Sequence, residues 1–240
     1  MPSPTDFNQS PYYDDFTESK KFHRILFRPA FAVQARELTQ SQSILQNQVE
    51  RVSDHLFDKG AMIIPGQVAW DTDYQAVKLT SFTGSSTLSD FESVEVTGGT
   101  SGVVGTIVNS VVTDGTDPNT LFIRYTKTGT DNAAKTFTDG ETITGTTAAS
   151  VALSAVVETT ATGSAAKIES GVYYINGFHV QVDEQTLILD KYTNTPSYRV
   201  GLTVTESFET PNDDTSLNDN AQGSSNENAP GAHRHKILLT

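Results

Sequence analysis

The chain has 240 residues, no cysteine and a formal net charge of −13, with 16 Lys and Arg against 29 Asp and Glu. An acidic balance is opposite to the basic surface of nucleic-acid-binding proteins, so we expect no nucleic-acid partner. The lack of cysteine excludes disulfides and thiolate chemistry. No apolar run approaches the length of a membrane-spanning helix and no secretory signal is visible, which predicts a protein assembled in a cytoplasm without a membrane partner.

Residues 1–32 combine Pro, Tyr and Phe without periodicity. Pro11 and Pro29 prevent one continuous helix, so we predict an extended arm that packs through its aromatic side chains. The surface it packs on is either its own domain or a neighbouring protein. Aromatic and arginine side chains dominate the energetics of buried contacts, which makes them candidates for docking to a partner. These candidate docking residues are Tyr12, Tyr13, Phe16, Phe22, Arg24, Phe27 and Arg28.

Residues 33–59 have the pattern of a long helix, with apolar residues recurring in a heptad repeat. The apolar heptad positions, our candidates for self-association, are Leu38, Leu45 and Val52 at a and Val49 and Leu56 at d. Gln42 takes the remaining d position. A stripe this narrow suits a partner helix, so we predict self-association of this helix, most simply as a homotrimer. The alternative is that the helix packs on the β structure of its own chain.

The remainder of the sequence predicts β structure. Residues 83–165 are dense in Thr, Gly, Ser and Val, with Asp-Gly turns, which indicates a separate barrel or sandwich of five to seven strands. Two segments of this module, 94–112 and 141–157, share one plan of strand, Gly/Thr/Ser turn and strand, and thus predict two related hairpins. Because 60–82 and 166–240 read as longer strands, we predict that these two segments form one main β domain into which the module is inserted.

Three local patterns refine this prediction. In LFIRYTKTG, alternation places Leu121 and Ile123 on the face opposite to Phe122. Asn176-Gly177 predicts a tight hairpin turn, and 210–231 predicts a long loop. The last residues, AHRHKILLT, begin a strand for which the sequence offers no partner, so we expect the natural polypeptide to continue beyond 240, where any contact with the host surface would lie.

These readings predict a mainly β protein with one long α-helix near its N-terminus and β-sandwich or barrel modules in an elongated, modular arrangement. Catalytic patterns are missing, since neither G-x-S-x-G nor H-E-x-x-H occurs. His233 and His235 would face one side of a strand and could ligate a metal, but we expect surface imidazoles instead. The acidic cluster at 213–219 lacks the calcium-loop pattern. We therefore predict no enzyme activity, no cofactor and no metal site.

Two long stretches carry a resemblance to a known family. FRPAFAVQARELTQ (27–40) and LDKYTNTPSYRVGL (189–202), together with their surroundings in 8–80 and 166–240, resemble the opening region of large virion proteins of tailed bacteriophages, including cyanophages. That family is defined as a domain of unknown function, and its members look like tail-fibre or baseplate components. The segment 83–165 is less similar, as expected for an inserted module.

The resemblance implies a place in a virion, assembled in the host cytoplasm, with other phage tail or baseplate proteins and other copies of the chain as partners. It implies no catalytic residue and no cofactor. We thus expect a structural protein at the attachment end of a fibre or baseplate component. The alternative is a carbohydrate-binding module for the host surface, for which Phe122, Tyr125 and Phe137 are the available aromatic side chains.

Overall fold

The computed structural model describes residues 5–85 and 87–240, and within them the chain is mainly β with one α-helix near the N-terminus, as predicted. Residues 1–4 of the predicted arm lie outside the described residues. The elements in chain order are α1 (Ala35–Leu56), β1 (Met62–Ile64), β2 (Val68–Thr83), β3 (Glu95–Gly98), β4 (Val104–Val111), β5 (Thr120–Lys127), β6 (Thr142–Thr146), β7 (Ala152–Ile168), β8 (Gly171–Ile175), β9 (Phe178–Val182), β10 (Gln185–Asp190), β11 (Val204–Glu209) and β12 (Arg234–Leu239). The helix is shorter than the predicted 33–59 by a few residues at each end.

The chain divides into two compact units. Unit 1 comprises 1–67, 168–185 and 201–240, and unit 2 comprises 68–167 and 186–200. The predicted division differs from this one, because β2 pairs with β5 in an antiparallel ladder and so belongs to the Gly/Thr-rich module. The module also takes up residues 186–200, which we had assigned to the main β domain. Long-range strand pairing, which a local sequence pattern does not report, decides both boundaries.

Unit 1 contains α1, the three-stranded sheet β1-β8-β9 and the pair β11-β12. The hairpin β8-β9 turns at Asn176-Gly177, where both residues have positive φ, 48° and 87°, as the two-residue turn requires. This turn was predicted. The expectation that the last strand lacks a partner was wrong, since β12 pairs with β11 along six residues. The core of the unit is a cluster of Tyr173, Ile175, Val180, Val182 and Leu239.

Unit 2 is built on a sheet of order β10-β7-β2-β5-β4-β3-β6 that closes on itself, because β6 pairs with β7 as well as with β3. The two predicted hairpins are present as β3-β4 and β6-β7, and they are joined through the antiparallel pairing of β3 with β6. Closure turns one face of each strand inward. The result is a small β-barrel of the size that the sequence predicted.

The barrel interior is filled by apolar side chains from β2 to β7 and from the turn of 3-10 helix at Leu88–Phe91. The alternation predicted for β5 is confirmed, since Leu121 and Ile123 lie in this interior. Phe122 points to the other face, where its ring stacks on Tyr74 at 4.8 Å between centroids. Both faces of the first half of β5, residues 120–123, are thus buried.

One buried carboxylate joins two turns of the barrel. Glu141 accepts hydrogen bonds from the backbone N–H groups of Thr100, Ser101 and Thr138 at 2.7–2.9 Å and from the Ser101 hydroxyl at 2.8 Å. Burial alone raises the pKa of a carboxyl group, but these hydrogen bonds outweigh burial, so the pKa of Glu141 is lowered. The ionised form therefore stabilises the barrel.

Candidate self-association and docking site

Helix α1 begins with a capping interaction, in which the Gln34 backbone N–H donates to the Glu37 carboxylate at 2.8 Å. It ends before Gly60, whose φ of 87° suits the left-handed conformation and whose N–H donates to the Tyr174 carbonyl oxygen at 2.8 Å. Both ends of the helix are therefore fixed, the second by a strand of the same unit.

One face of α1 packs on the β8-β9 hairpin of unit 1. Glu50 and Ser53 are buried on this face, whereas the third buried residue of the helix, Ile44, lies about 120° or more around the helix axis from both. The hairpin turn approaches the helix closely, since a side-chain Cβ on Gly177 would meet Glu50 atoms at 3.2–3.3 Å. The alternative from the sequence, a helix packed on the β structure of its own chain, is thus found in the structure, but through residues outside the heptad positions.

Polar contacts hold this face in place. The Tyr174 hydroxyl donates to the Asp54 carboxylate at 2.5 Å, and the Gln46 side-chain amide donates to the Gly177 carbonyl oxygen at 2.6 Å. Burial, together with the hydrogen bond to the neighbouring Asp54 carboxylate, raises the pKa of Tyr174, so its hydroxyl stays protonated and donates. The rotation of the helix about its own axis is set by these contacts.

The apolar heptad residues of α1 lie on the other side and are uncovered. We call this set the heptad stripe; its members and exposed fractions are Leu38 53%, Leu45 67%, Val49 45%, Val52 63% and Leu56 68%. At 100° per residue their directions fall within about 60° of one another, centred about 130° from Glu50 and about 110° from Ile44. Apolar side chains that stay exposed to water give the single chain no hydrophobic stabilisation.

The N-terminal arm divides into two parts, of which the first packs on unit 1. The Phe7 ring meets the rings of Phe208 and His235, and the Tyr12 hydroxyl lies 2.7 Å from His233 Nδ1. Asp14 is buried and accepts a hydrogen bond from the Ser43 hydroxyl of α1. The first part of the arm is thus an integral piece of the unit.

The second part of the arm, residues 21–34, is exposed at every position except Ile25, which is partly exposed. Among the described residues, no hydrogen bond or ion pair joins 22–33 to the rest of the chain. Inside the segment, Arg28 lies over the Phe31 ring at 4.1 Å. Large apolar side chains at Phe22, Leu26, Phe27 and Phe31 are more than half exposed.

The structure therefore separates the candidate docking residues. Tyr12 and Phe16 are partly buried by the chain itself, whereas Tyr13 is exposed beside them. The other four, Phe22, Arg24, Phe27 and Arg28, lie in the exposed second part. Leu26, the most exposed of the large apolar side chains at 75%, was not among our candidates. Its signal in the sequence is the run of apolar and basic residues around it.

The histidine pair does not form a metal site in the described residues, where no group of three or more His, Asp and Glu converges. His235 is not the surface imidazole we expected; its side chain is 15% exposed, lies 3.2 Å from the Glu206 carboxylate and contacts aromatic rings. Asp213 and Asp214 accept hydrogen bonds from the turn residues Thr210 and Ser216, which lowers the pKa of both carboxyl groups. These acids stabilise turns.

The aromatic residues suggested for carbohydrate binding are covered by the chain itself, Tyr125 and Phe137 at the barrel interior and Phe122 on the outer face of β5. Phe122 and Phe137 are 0% and 3% exposed, and Tyr125 packs edge-on against Phe137. Burial raises the pKa of Tyr125 to about 12. These three side chains therefore form no exposed platform for a sugar.

The decisive comparison is with protein families, since a family described as Domain of unknown function (DUF4815) matches residues 10–132 and 106–240. The chain belongs to this family. No curated protein and no solved structure matches the chain. Within the described residues, no helix is long and apolar enough to cross a membrane.

Proposed function

We propose that this member of the DUF4815 family is a structural virion protein of a tailed phage, at the attachment end of a tail fibre or baseplate component. It self-associates through α1, as a homotrimer, and docks to other tail proteins through its arm. It has no catalytic role and binds neither nucleic acid nor membrane. The resemblance of 27–40 and 189–202 to tailed-phage virion proteins supports the place in the particle.

The observation that carries the self-association is the exposed heptad stripe on a helix whose other face is fixed. Full burial of one exposed Leu or Val side chain contributes about 1.5–3 kcal/mol, and these five are 45–68% exposed, so burying the rest of them gives about 4–9 kcal/mol per copy. Association costs about 4–15 kcal/mol in lost freedom of motion, and fixing the helix in advance reduces the part of this cost that comes from ordering. The gain from packing the stripe is thus of the same order as the cost of association, and the pre-ordered helix shifts the balance toward association.

The solution mass of the full chain tests this proposal. Light scattering over a range of concentrations should give a trimer, and the double substitution Leu45→Asp, Val52→Asp should give a monomer, because carboxylates cannot be buried in the seam. A matched control is Val112→Asp, Val151→Asp, two exposed valines of unit 2. A wild-type chain that stays monomeric at every concentration would contradict self-association through the heptad stripe.

The place in the virion has its own test. Antibodies raised against the chain should label purified phage particles at the tail, and gold-labelled electron micrographs would show where. Label on the capsid, or particles free of the protein, would contradict the proposal. A test for turnover of host capsular polysaccharide should be negative.

A further inference from the structure

The charge of the chain is strongly segregated. Residues 20–36 hold five of the 16 Lys and Arg, at 20, 21, 24, 28 and 36, and no Asp or Glu. Removing this segment leaves 11 Lys and Arg against all 29 Asp and Glu, a formal charge of −18. We call residues 20–36 the cationic loop. Its exposed core, 21–34, is the part of the arm that does not pack on unit 1.

The cationic loop is closed at its base by one carboxylate. Lys20 Nζ lies 2.8 Å and Arg36 lies 3.9 Å from the carboxylate oxygens of Asp15. Gln40 of α1 donates to the same side chain at 3.1 Å. The hydrogen bond from Lys20 lowers the pKa of Asp15, so this carboxylate is charged near neutral pH. The loop is thus attached at both ends to unit 1 rather than hanging as a free tail.

Apolar and cationic side chains alternate along the exposed part. Phe22, Phe27 and Phe31 provide aromatic rings, and Arg24 and Arg28 provide planar charged groups. Exposed patches of this composition are typical of interfaces, where aromatic and arginine side chains are enriched. The complementary partner must be acidic and must offer apolar surface.

We infer that the cationic loop, which holds four of the seven candidate docking residues, binds the acidic surface of unit 1 on a second copy of this chain, next to the helix seam, and leaves docking to other tail proteins to the remaining part of the arm. This inference rests on the proposed self-association. Without the loop, unit 1 has four Lys and Arg against 17 Asp and Glu, whereas unit 2 has seven against 12. The complementary charge is therefore concentrated on the unit that the helix seam brings together. A loop held at its base and exposed along its length can reach a neighbour while its own unit stays folded.

Charge reversal within the loop tests the inference. The apparent association constant of the full chain is measured by sedimentation for wild type and for Arg24→Glu, Arg28→Glu, at about 50 mM and about 500 mM NaCl. We expect the variant to associate at least about tenfold more weakly at low salt and to lose most of the salt dependence. The matched control is Lys127→Glu, Lys135→Glu, which changes the net charge equally at exposed positions of unit 2. It should change association less than about threefold.

The outcomes separate the loop from the helix seam. Association that is lost in Leu45→Asp, Val52→Asp but unchanged in Arg24→Glu, Arg28→Glu overturns the loop inference alone. The reverse result overturns the seam and supports the loop. An equal loss in the loop variant and in its unit 2 control shows an effect of net charge only, and overturns the inference.

A second measurement locates the contact. Because the chain has no cysteine, Ala32→Cys gives one defined position in the loop for a photoactivated crosslinker. We expect covalent dimers in which the crosslinked peptides come from unit 1 of the other copy. Crosslinks confined to one chain, crosslinks to unit 2, or loop-dependent binding to phosphatidylserine vesicles without dimers would overturn the inference.

Discussion

The two units treat their large apolar side chains in opposite ways. Unit 2 buries most of its large apolar side chains, Phe91, Leu121 and Ile143 inside a closed barrel and Phe122 on the outer face of β5. Unit 1 leaves the heptad stripe and the aromatic rings of the cationic loop exposed. A barrel that is complete within one chain needs no partner for its core. Unit 1 instead carries apolar surface that only association with a partner would bury. The residues that stabilise the fold and the residues proposed for assembly therefore lie in different parts of one polypeptide.

The largest expected effect comes from a cavity beside the barrel, in the cluster on the outer face of β5. Phe122→Ala removes a fully buried ring stacked on Tyr74 and should lower the free energy of unfolding of unit 2 by about 3–5 kcal/mol. Urea unfolding followed by the fluorescence of Trp70, the one tryptophan of the chain, measures it. The same substitution at exposed Phe27 should leave this transition within about 0.5 kcal/mol of wild type. An equal loss of unfolding free energy at the two positions would contradict the difference in burial between the two units.

The buried carboxylate of the barrel should give the next largest effect. Glu141→Gln places an amide where three backbone N–H groups and a hydroxyl donate, and should destabilise unit 2 by about 1.5–3 kcal/mol at neutral pH. Because the pKa is lowered in the folded state, this stabilisation is complete above the unfolded pKa of about 4.3 and is lost as the pH falls through the folded pKa.

The same unfolding measurement, repeated from neutral to acid pH, checks this prediction. The difference between wild type and Glu141→Gln should shrink in acid. Glu158→Gln, at an exposed position of β7, is the matched control and should change little at any pH. A difference that stays constant down to pH values below the folded pKa would mean that the charge of Glu141 is not what stabilises the turns.

The smallest effect is expected in unit 1, at the fixed face of the helix. Tyr174→Phe removes the hydrogen bond to Asp54 and should cost about 1 kcal/mol, seen as faster hydrogen exchange of the amides of α1. Tyr198→Phe removes an exposed hydrogen bond to Asp190 in unit 2 and serves as the control. Unchanged exchange in Tyr174→Phe would show that the hydrogen bond to Asp54 does not hold the helix.

Local patterns in the sequence predicted the elements that depend on neighbouring residues. Alternation in β5 placed Leu121 and Phe122 on opposite faces, and Asn176-Gly177 predicted the β8-β9 turn, because both signals lie within a few residues. The heptads of α1 identified a stripe that the structure leaves uncovered. Its role in self-association stays a prediction.

Contacts between distant residues were beyond the same reasoning. The pairing of β2 with β5 moved a domain boundary, and the pairing of β11 with β12 spans a long loop without any local signal. The polar face of α1 is fixed by Tyr174, more than a hundred residues away. The charge segregation of residues 20–36 was readable from the sequence, but their exposure required the structure.

Closure of the barrel affects how copies of the chain can contact one another when they are held close together. An open sheet presents a row of unpaired N–H and C=O groups to any similar sheet nearby, and copies held together by a seam would expose such edges to one another at high local concentration. In unit 2 the pairing of β6 with both β3 and β7 removes these edges from the barrel and leaves β10 as the outer strand. Copies brought side by side can thus pair through this sheet at β10 but not along the closed part of the barrel.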